Sequence, residues 1–323
     1  MGRISQCFAG SALAVFALVS PATAQTPVPY PAPYPAPYGG AIPNAPPLEF
    51  EVGLRYWYST GKSQKSLFDL SGALLVSRLT WTSTTGHTGE GYFNITDAGV
   101  FVKGYLGVGF VSGGNLQDED FPPVIAPYSS TNSQQKDGRL NYASADLGYY
   151  LLDGPRGKLG GFIGYHFYGE KLNAFGCTQT ATNPGICVPS IPTSVRAITE
   201  NDHWYSARVG VAGEVMIMPG LKLSGDAAYL PYVKMTGSDT HWLRPDFSGP
   251  IPEKAHGTGM QFEGVLTYYF NDNVSLGVGG RYWKMDAPHG QADFTNIVIG
   301  GGPQAIKFET NRYGTFVQLG LKY

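Results

Sequence analysis

The sequence predicts an all-β protein: a ten-stranded antiparallel transmembrane β-barrel of the outer membrane. Three observations carry that prediction. The first is composition. The 323 residues include 44 Gly, 24 Pro and 21 Tyr but only 14% charged side chains, so glycine is about twice and charge about half of ordinary usage. That balance excludes a disordered, highly charged chain and a strongly basic nucleic-acid binder, and the net charge of -2 names no partner. The second is the lack, after the first two dozen residues, of any apolar run long enough for a membrane helix. The third is alternation. Tyr313, Thr315, Val317, Leu319, Leu321 and Tyr323 share one face of a strand, and Arg312, Gly314, Phe316, Gln318, Gly320 and Lys322 share the other. Period two puts the first set toward lipid and the second toward a lumen.

In chain order, residues 1–24 read as a secretory signal peptide, with Arg3 at the positive end, Ala9 to Val19 as apolar core, and Ala22-Thr23-Ala24 as the small-residue cleavage site. Residues 25–47 hold nine prolines and a repeated Pro-Ala-Pro-Tyr unit. This composition favours extended polyproline II and predicts a stiff periplasmic linker, a docking segment being the other reading. Residues 48–323 are the barrel. Phe50, Val52, Leu54, Tyr56 and Tyr58 alternate with Glu49, Glu51, Gly53, Arg55 and Trp57, which turns the charges inward. Turn signals at Asp97-Ala98-Gly99, Asp153 to Gly157, Met218-Pro219-Gly220 and Asn271-Asp272-Asn273 are separated by five longer polar connections, near 62–73, 112–137, 176–202, 237–256 and 286–306. Four short turns and five long loops join ten strands, with short turns periplasmic and long loops extracellular. Strand two can run from Val76 to Thr96, roughly 70 Å at ~3.3 Å per residue against a lipid band of about 25 Å, so the barrel is expected to stand well above the membrane. The terminal aromatic resembles the assembly signal read by the barrel assembly machinery of bacterial outer membranes.

Of three cysteines, Cys7 lies in the signal segment. Cys177 and Cys187, ten positions apart around Asn183-Pro184-Gly185, most simply close a loop disulfide in an oxidising compartment. Two thiols without an adjacent His are a poor metal set, and no cofactor is expected.

Two acidic couplets stand out near the outer rim: Asp118 and Asp120 in Gly113-Gly114-Asn115-Leu116-Gln117-Asp118-Glu119-Asp120, and Asp239 and His241 in Gly237-Ser238-Asp239-Thr240-His241-Trp242. Each is an i, i+2 pair, so on a strand its members share a face. An Asp can orient an imidazole as general base, and two carboxylates can position a water with one pKa raised. Taken alone, Asp-x-Asp is more often solvated turn sequence. The spacing Gly-Gly-Asn-x-x-Asp-x-Asp ending at Phe121, however, resembles the motif of the omptins, ten-stranded outer-membrane proteases. Asp-x-His before Trp242 resembles their second motif, Arg139 to Ala143 their fourth strand, and Phe316 to Tyr323 their C-terminal strand.

The resemblance implies that Asp239 and His241 activate a water, that Asp118 and Asp120 form the opposite wall, and that extracellular peptides or proteins are the substrates. It also implies contact with outer-membrane lipid and lipopolysaccharide, which the family requires for activity. Departures from the pattern fall in the substrate pocket. Where omptins that cut at basic residues carry acids, this chain has Lys65 and Gly237, so specificity is expected to move toward acidic or neutral residues. Lys171 and Arg208 are loose candidates for lipopolysaccharide contact. His87, His166, His203, His256 and His289 read as rim or loop side chains, and Trp57, Trp81, Trp204, Trp242 and Trp283 as aromatic girdles or loop packing. The competing functions are a non-catalytic barrel with a structural, adhesive or surface-assembly role, and a small porin.

Overall fold

The structure, a computed structural model, describes residues 48–121 and 126–323. The expected signal peptide and Pro-rich linker lie outside them. Eleven strand segments follow one another: β1 (Glu49–Phe68), β2 (Leu75–Asp97), β3 (Val100–Asp120), β4 (Ser129–Gln135), β5 (Gly138–Gly154), β6 (Gly157–Gln179), β7 (Ile191–Met218), β8 (Leu221–His241), β9 (Ile251–Tyr269), β10 (Val274–Asp293) and β11 (Pro303–Lys322). All pairings are antiparallel, and β1 pairs with β11 from Glu51↔Lys322 to Leu67↔Ile306, which closes the sheet. β4 and β5 both sit between β3 and β6, so they are two segments of one strand and the ring has ten. The break falls at Lys136 and Asp137, where Asp137 has φ 54°.

At one end the hairpins are tight. Ala98 (φ 47°) and Gly99 (φ 84°) give two consecutive left-handed residues, the conformation that matches the twist of a two-residue hairpin. At the other end the strands continue through most of the five polar connections. Beyond β1 the chain leaves the sheet only from 69 to 74, beyond β6 from 180 to 190, beyond β8 from 242 to 250 and beyond β10 from 294 to 302. A strand with water or a polar lumen on both faces carries no apolar alternation, which is why these stretches read as loops.

Outward side chains define the membrane belt. Leu54, Tyr56 and Tyr58 on β1, Leu106, Val108 and Phe110 on β3, and Tyr313, Val317 and Leu319 on β11 are exposed. Above the belt the outward positions become polar, with Lys62, Arg139, Lys171, Lys234, Lys254 and Lys307 exposed. The lumen within the belt is filled by ion pairs. Arg281 donates to Glu90 at 2.7 Å, and Arg55 donates to Glu90 and to Glu263, both at 3.0 Å. Arg208 donates to Asp146 at 2.9 Å and to Asp226 at 3.1 Å. Arg208 is therefore a lumen residue, 4% exposed, and is corrected as a lipopolysaccharide candidate.

Trp57, Trp81, Trp204 and Trp283 also point inward and are buried; tyrosines, not tryptophans, occupy the outer belt. Trp57 and Trp283 pack at 4.9 Å beside Tyr142. His166 is not at the rim but fully buried, edge-on to Trp283 at 4.7 Å.

Candidate active site

Above the belt, at the long-loop end, lies a cleft of about 630 Å³, a size within the ~300–1,000 Å³ of ordinary ligand sites. Asp118, Asp120, Asp239 and His241 all line it, with Lys65 and Glu253 deeper and Arg244 and Phe247 at its side.

Simple alternation does not put the couplets there. Along the lower part of β3 the odd residues Phe101 and Val111 are buried while the even residues Val102, Leu106, Val108 and Phe110 face out. Continued unchanged, that phase would send Asp118 and Asp120 outward. The pairing of β2 with β3 slips twice: between Thr85 and Gly86, opposite Gly113 and Val111, Ser112 is an extra residue on β3, and between Thr82 and Thr85 the extra residue is on β2; the adjoining Gly114 has φ 136°. The bulge on β3 adds a residue and inverts the phase, so Leu116 is buried and Asp118 and Asp120 follow it inward. Gly114 suits the position because its φ lies where side chains are strained and a Cβ there would collide with the Thr82 carbonyl.

β8 changes phase in the same way. Ala228 and Leu230 are buried below, Val233 and Met235 above, and Tyr229 and Tyr232 both face out. The register with β9 shifts between Leu230 and Val233. Asp239 is consequently buried at 4% exposure and His241 half-buried. Trp242 follows the strand and is exposed; its Nε1 donates to Thr199 Oγ1 at 2.9 Å and Arg196 stacks on it at 4.3 Å.

His241 Nε2 lies 3.0 Å from Asp239 Oδ2. Burial alone would raise the Asp239 carboxyl, but the His241 and Lys65 charges outweigh it and hold it at about 2. Burial opposes a charged His241, yet Asp239 outweighs that too and raises the imidazole, with Asp118 adding and Lys65 opposing. Across the cleft, burial pushes Asp118 up to about 7; the His241 charge pulls it down while Asp120 and Asp239 push it further up. Asp120 is raised by burial, against Arg244 and a hydrogen bond from Ser77. The two couplets therefore sense each other's charge. At neutral pH the arrangement offers an ionised Asp239, an imidazole tuned by it, and an Asp118 carboxyl close to its midpoint.

Lys65 lines the floor of the cleft, but its ammonium is closed on acids. It donates to Glu253 Oε2 at 2.7 Å, is paired with Glu200, and lies 3.7 Å from Asp239 Oδ2. Gly237 is required by close approach: a Cβ there would collide with Asp202 Oδ1. Glu200, Asp202 and Glu253, all buried with carboxylate oxygens within 4.8 Å of one another, were not found from sequence. Glu200 and Asp202 lie within 176–202, read as loop, so their inward alternation next to Asp239 and Gly237 went unseen. Cys177 and Cys187 are joined by a disulfide with Cα atoms 5.6 Å apart, and both line the cleft with Ile186 and Ile191.

No family model matches the chain. It is 24% identical over 296 residues to the plasminogen activator of Yersinia pestis, covering 87% of this chain and 91% of that protein. The chain is a divergent relative of the omptins. In fold it is similar to the outer membrane protease OmpT from Escherichia coli, with a TM-score of 0.69 at 16% identity over 87% of this chain and 98% of that one. The omptin-like barrel is an outer-membrane protein.

Proposed function

We propose that this omptin-like barrel is an endopeptidase whose long-loop end faces outward and which hydrolyses peptide bonds at the cell surface. In this reading Asp239 orients His241, His241 takes a proton from a water, the water attacks a carbonyl held between His241 and Asp118, and His241 returns that proton to the amine as the C–N bond breaks. Asp118 and Asp120 hold the water from the opposite wall. The observation that carries the reading is the inversion of strand phase on both β3 and β8: two separate bulges turn both couplets into one cleft. A scaffold that used these residues only as rim polar groups would need neither.

Specificity is moved away from basic residues. With Lys65 closed on Glu253 and Glu200 and a glycine at 237, the floor acids already hold a resident cation, which leaves less of their charge for a substrate Arg or Lys. A peptide library profiled for cleavage tests this; strong preference for Arg or Lys would refute it. The porin reading is disfavoured by the lumen, which Arg281, Arg55, Glu90 and Glu263 fill with paired charges. Single-channel recordings are expected to show no stable open level.

Outer-membrane lipid and lipopolysaccharide are proposed partners, with Lys171 among the exposed cations above the belt. The barrel assembly machinery is the proposed route of insertion.

The central test is cleavage by His241→Ala and Asp118→Ala. Each is expected to lose activity by about 10²–10⁴-fold, the usual contribution of a positioned acid or base, while still folding into a heat-modifiable barrel. Cleavage retained by both would refute the assignment.

A further inference from the structure

The dyad has a third member behind it. One oxygen, Asp239 Oδ2, faces His241 Nε2 at 3.0 Å and Lys65 Nζ at 3.7 Å. Lys65 is fixed from its other side by Glu253 and Glu200. The residues come from β8, β1, β9 and β7, so a continuous line of charges crosses the cleft floor and ends at the imidazole. All of it lies above the apolar belt.

We propose that Lys65 is a positioning residue of the dyad: its ammonium anchors Asp239 to the acids of the neighbouring strands and biases the His241 imidazole toward the neutral form that accepts a proton. The significance of this role rests on the endopeptidase reading; its measurement does not.

The argument is one of competing charges. A buried carboxylate 3.0 Å from an imidazole stabilises the imidazolium, and an imidazolium cannot take a proton from water. A second cation on the same carboxylate oxygen divides its field and repels the imidazolium directly. The groups around His241 comprise Asp239 on β8, Asp118 and Asp120 on β3, Lys65 on β1, and Arg244 and Asp246 just after β8, with Glu200, Asp202 and Glu253 behind Lys65. Asp118 pulls the imidazole toward its charged form, as Asp239 does, and Lys65 opposes both. Arg244 is spent elsewhere, donating to Asp246 at 2.8 Å. Lys65 is thus the cation aligned with the dyad.

The test is a titration of His241 by histidine NMR in the full-length barrel in detergent micelles, the resonance being assigned by its loss in His241→Ala. Lys65→Met is expected to raise the His241 midpoint by about one pH unit, the lower end of the effect of a charge at this range. Lys65→Arg, which keeps the cation, is expected to leave it within a few tenths. Glu253→Gln removes an acid that holds Lys65 and is expected to shift the midpoint the opposite way, so the proposal stays open to refutation even if Lys65→Met does not assemble. Where peptide is cleaved, the acid limb of kcat/KM should move with each midpoint. A merely structural lysine would lower activity and leave the midpoints in place, and unmoved midpoints in Lys65→Met or in Glu253→Gln overturn the proposal. If no peptide is cleaved by the parent protein, the endopeptidase reading fails while the midpoints still decide the role of Lys65.

Discussion

The lumen within the belt and the cleft above it are built from the same kinds of residue and balanced in opposite ways. In the lumen, acids and cations are matched: Arg55 and Arg281 with Glu90 and Glu263, Arg208 and Lys103 with Asp146 and Asp226, Arg312 with Glu170 at 2.6 Å. Bidentate guanidinium pairs lock geometry. In the cleft, Lys65 serves Glu200, Glu253 and Asp239, while Asp118 and Asp120 have no paired cation among the described residues. Excess carboxylate under burial is held at a cost, and the result is an Asp118 that titrates near neutrality. Matched charge fills and rigidifies; unmatched charge stays available for proton transfer.

The largest expected effect follows from that contrast. Removing His241 or Asp118 should cost about 10²–10⁴-fold in cleavage with little change in stability. Arg281→Met in the lumen should do the reverse. It leaves Glu90 and Glu263 buried without this partner, so unfolding in denaturant should become easier by about 3–5 kcal/mol, with kcat of the folded fraction nearly unchanged. Loss of activity from the lumen variant at full stability would break the comparison.

Next in size is a pH effect. Asp118, raised to about 7, contributes activity as a carboxylate above that value, and His241, also raised, must be neutral to act as base. Both requirements make cleavage rise with pH through the neutral range, so kcat/KM should be higher at pH 8 than at pH 6. Asp120→Asn removes one of the charges that push Asp118 up and should move the acid limb toward lower pH. For stability the sign differs by group. Asp239, depressed to about 2, stabilises the fold above its unfolded value near 3.8, and that contribution is lost as pH falls toward 2.

The smallest effect concerns the cleft wall. Cys177→Ser with Cys187→Ser opens a loop of about ten residues, for which chain entropy gives about 3 kcal/mol or less. Because Ile186 and Cys187 line the cleft, KM should rise a few-fold with kcat little altered.

Much of this was legible in the sequence. β11 and β1 declare the barrel through strict alternation, and the four tight turns set the strand number. The candidate site was legible only as two couplets with an omptin-like spacing. Their facing depended on Gly113-Gly114 and on the bend around Pro231 and Tyr232, because a bulge inverts every side chain beyond it and a period-two count runs straight through. Sequence spacing alone makes Lys65 a cation presented to substrate. The structure instead surrounds it with Glu200 and Glu253, whose inward positions lie on strands that carry no apolar signal.

The most direct measurement is a double-mutant cycle on kcat/KM with Asp118→Asn and His241→Ala. If the two walls act on one water, the double variant should lose scarcely more than either single variant, because each already disables the unit. Losses that multiply, or cleavage that survives both changes, would contradict a shared site.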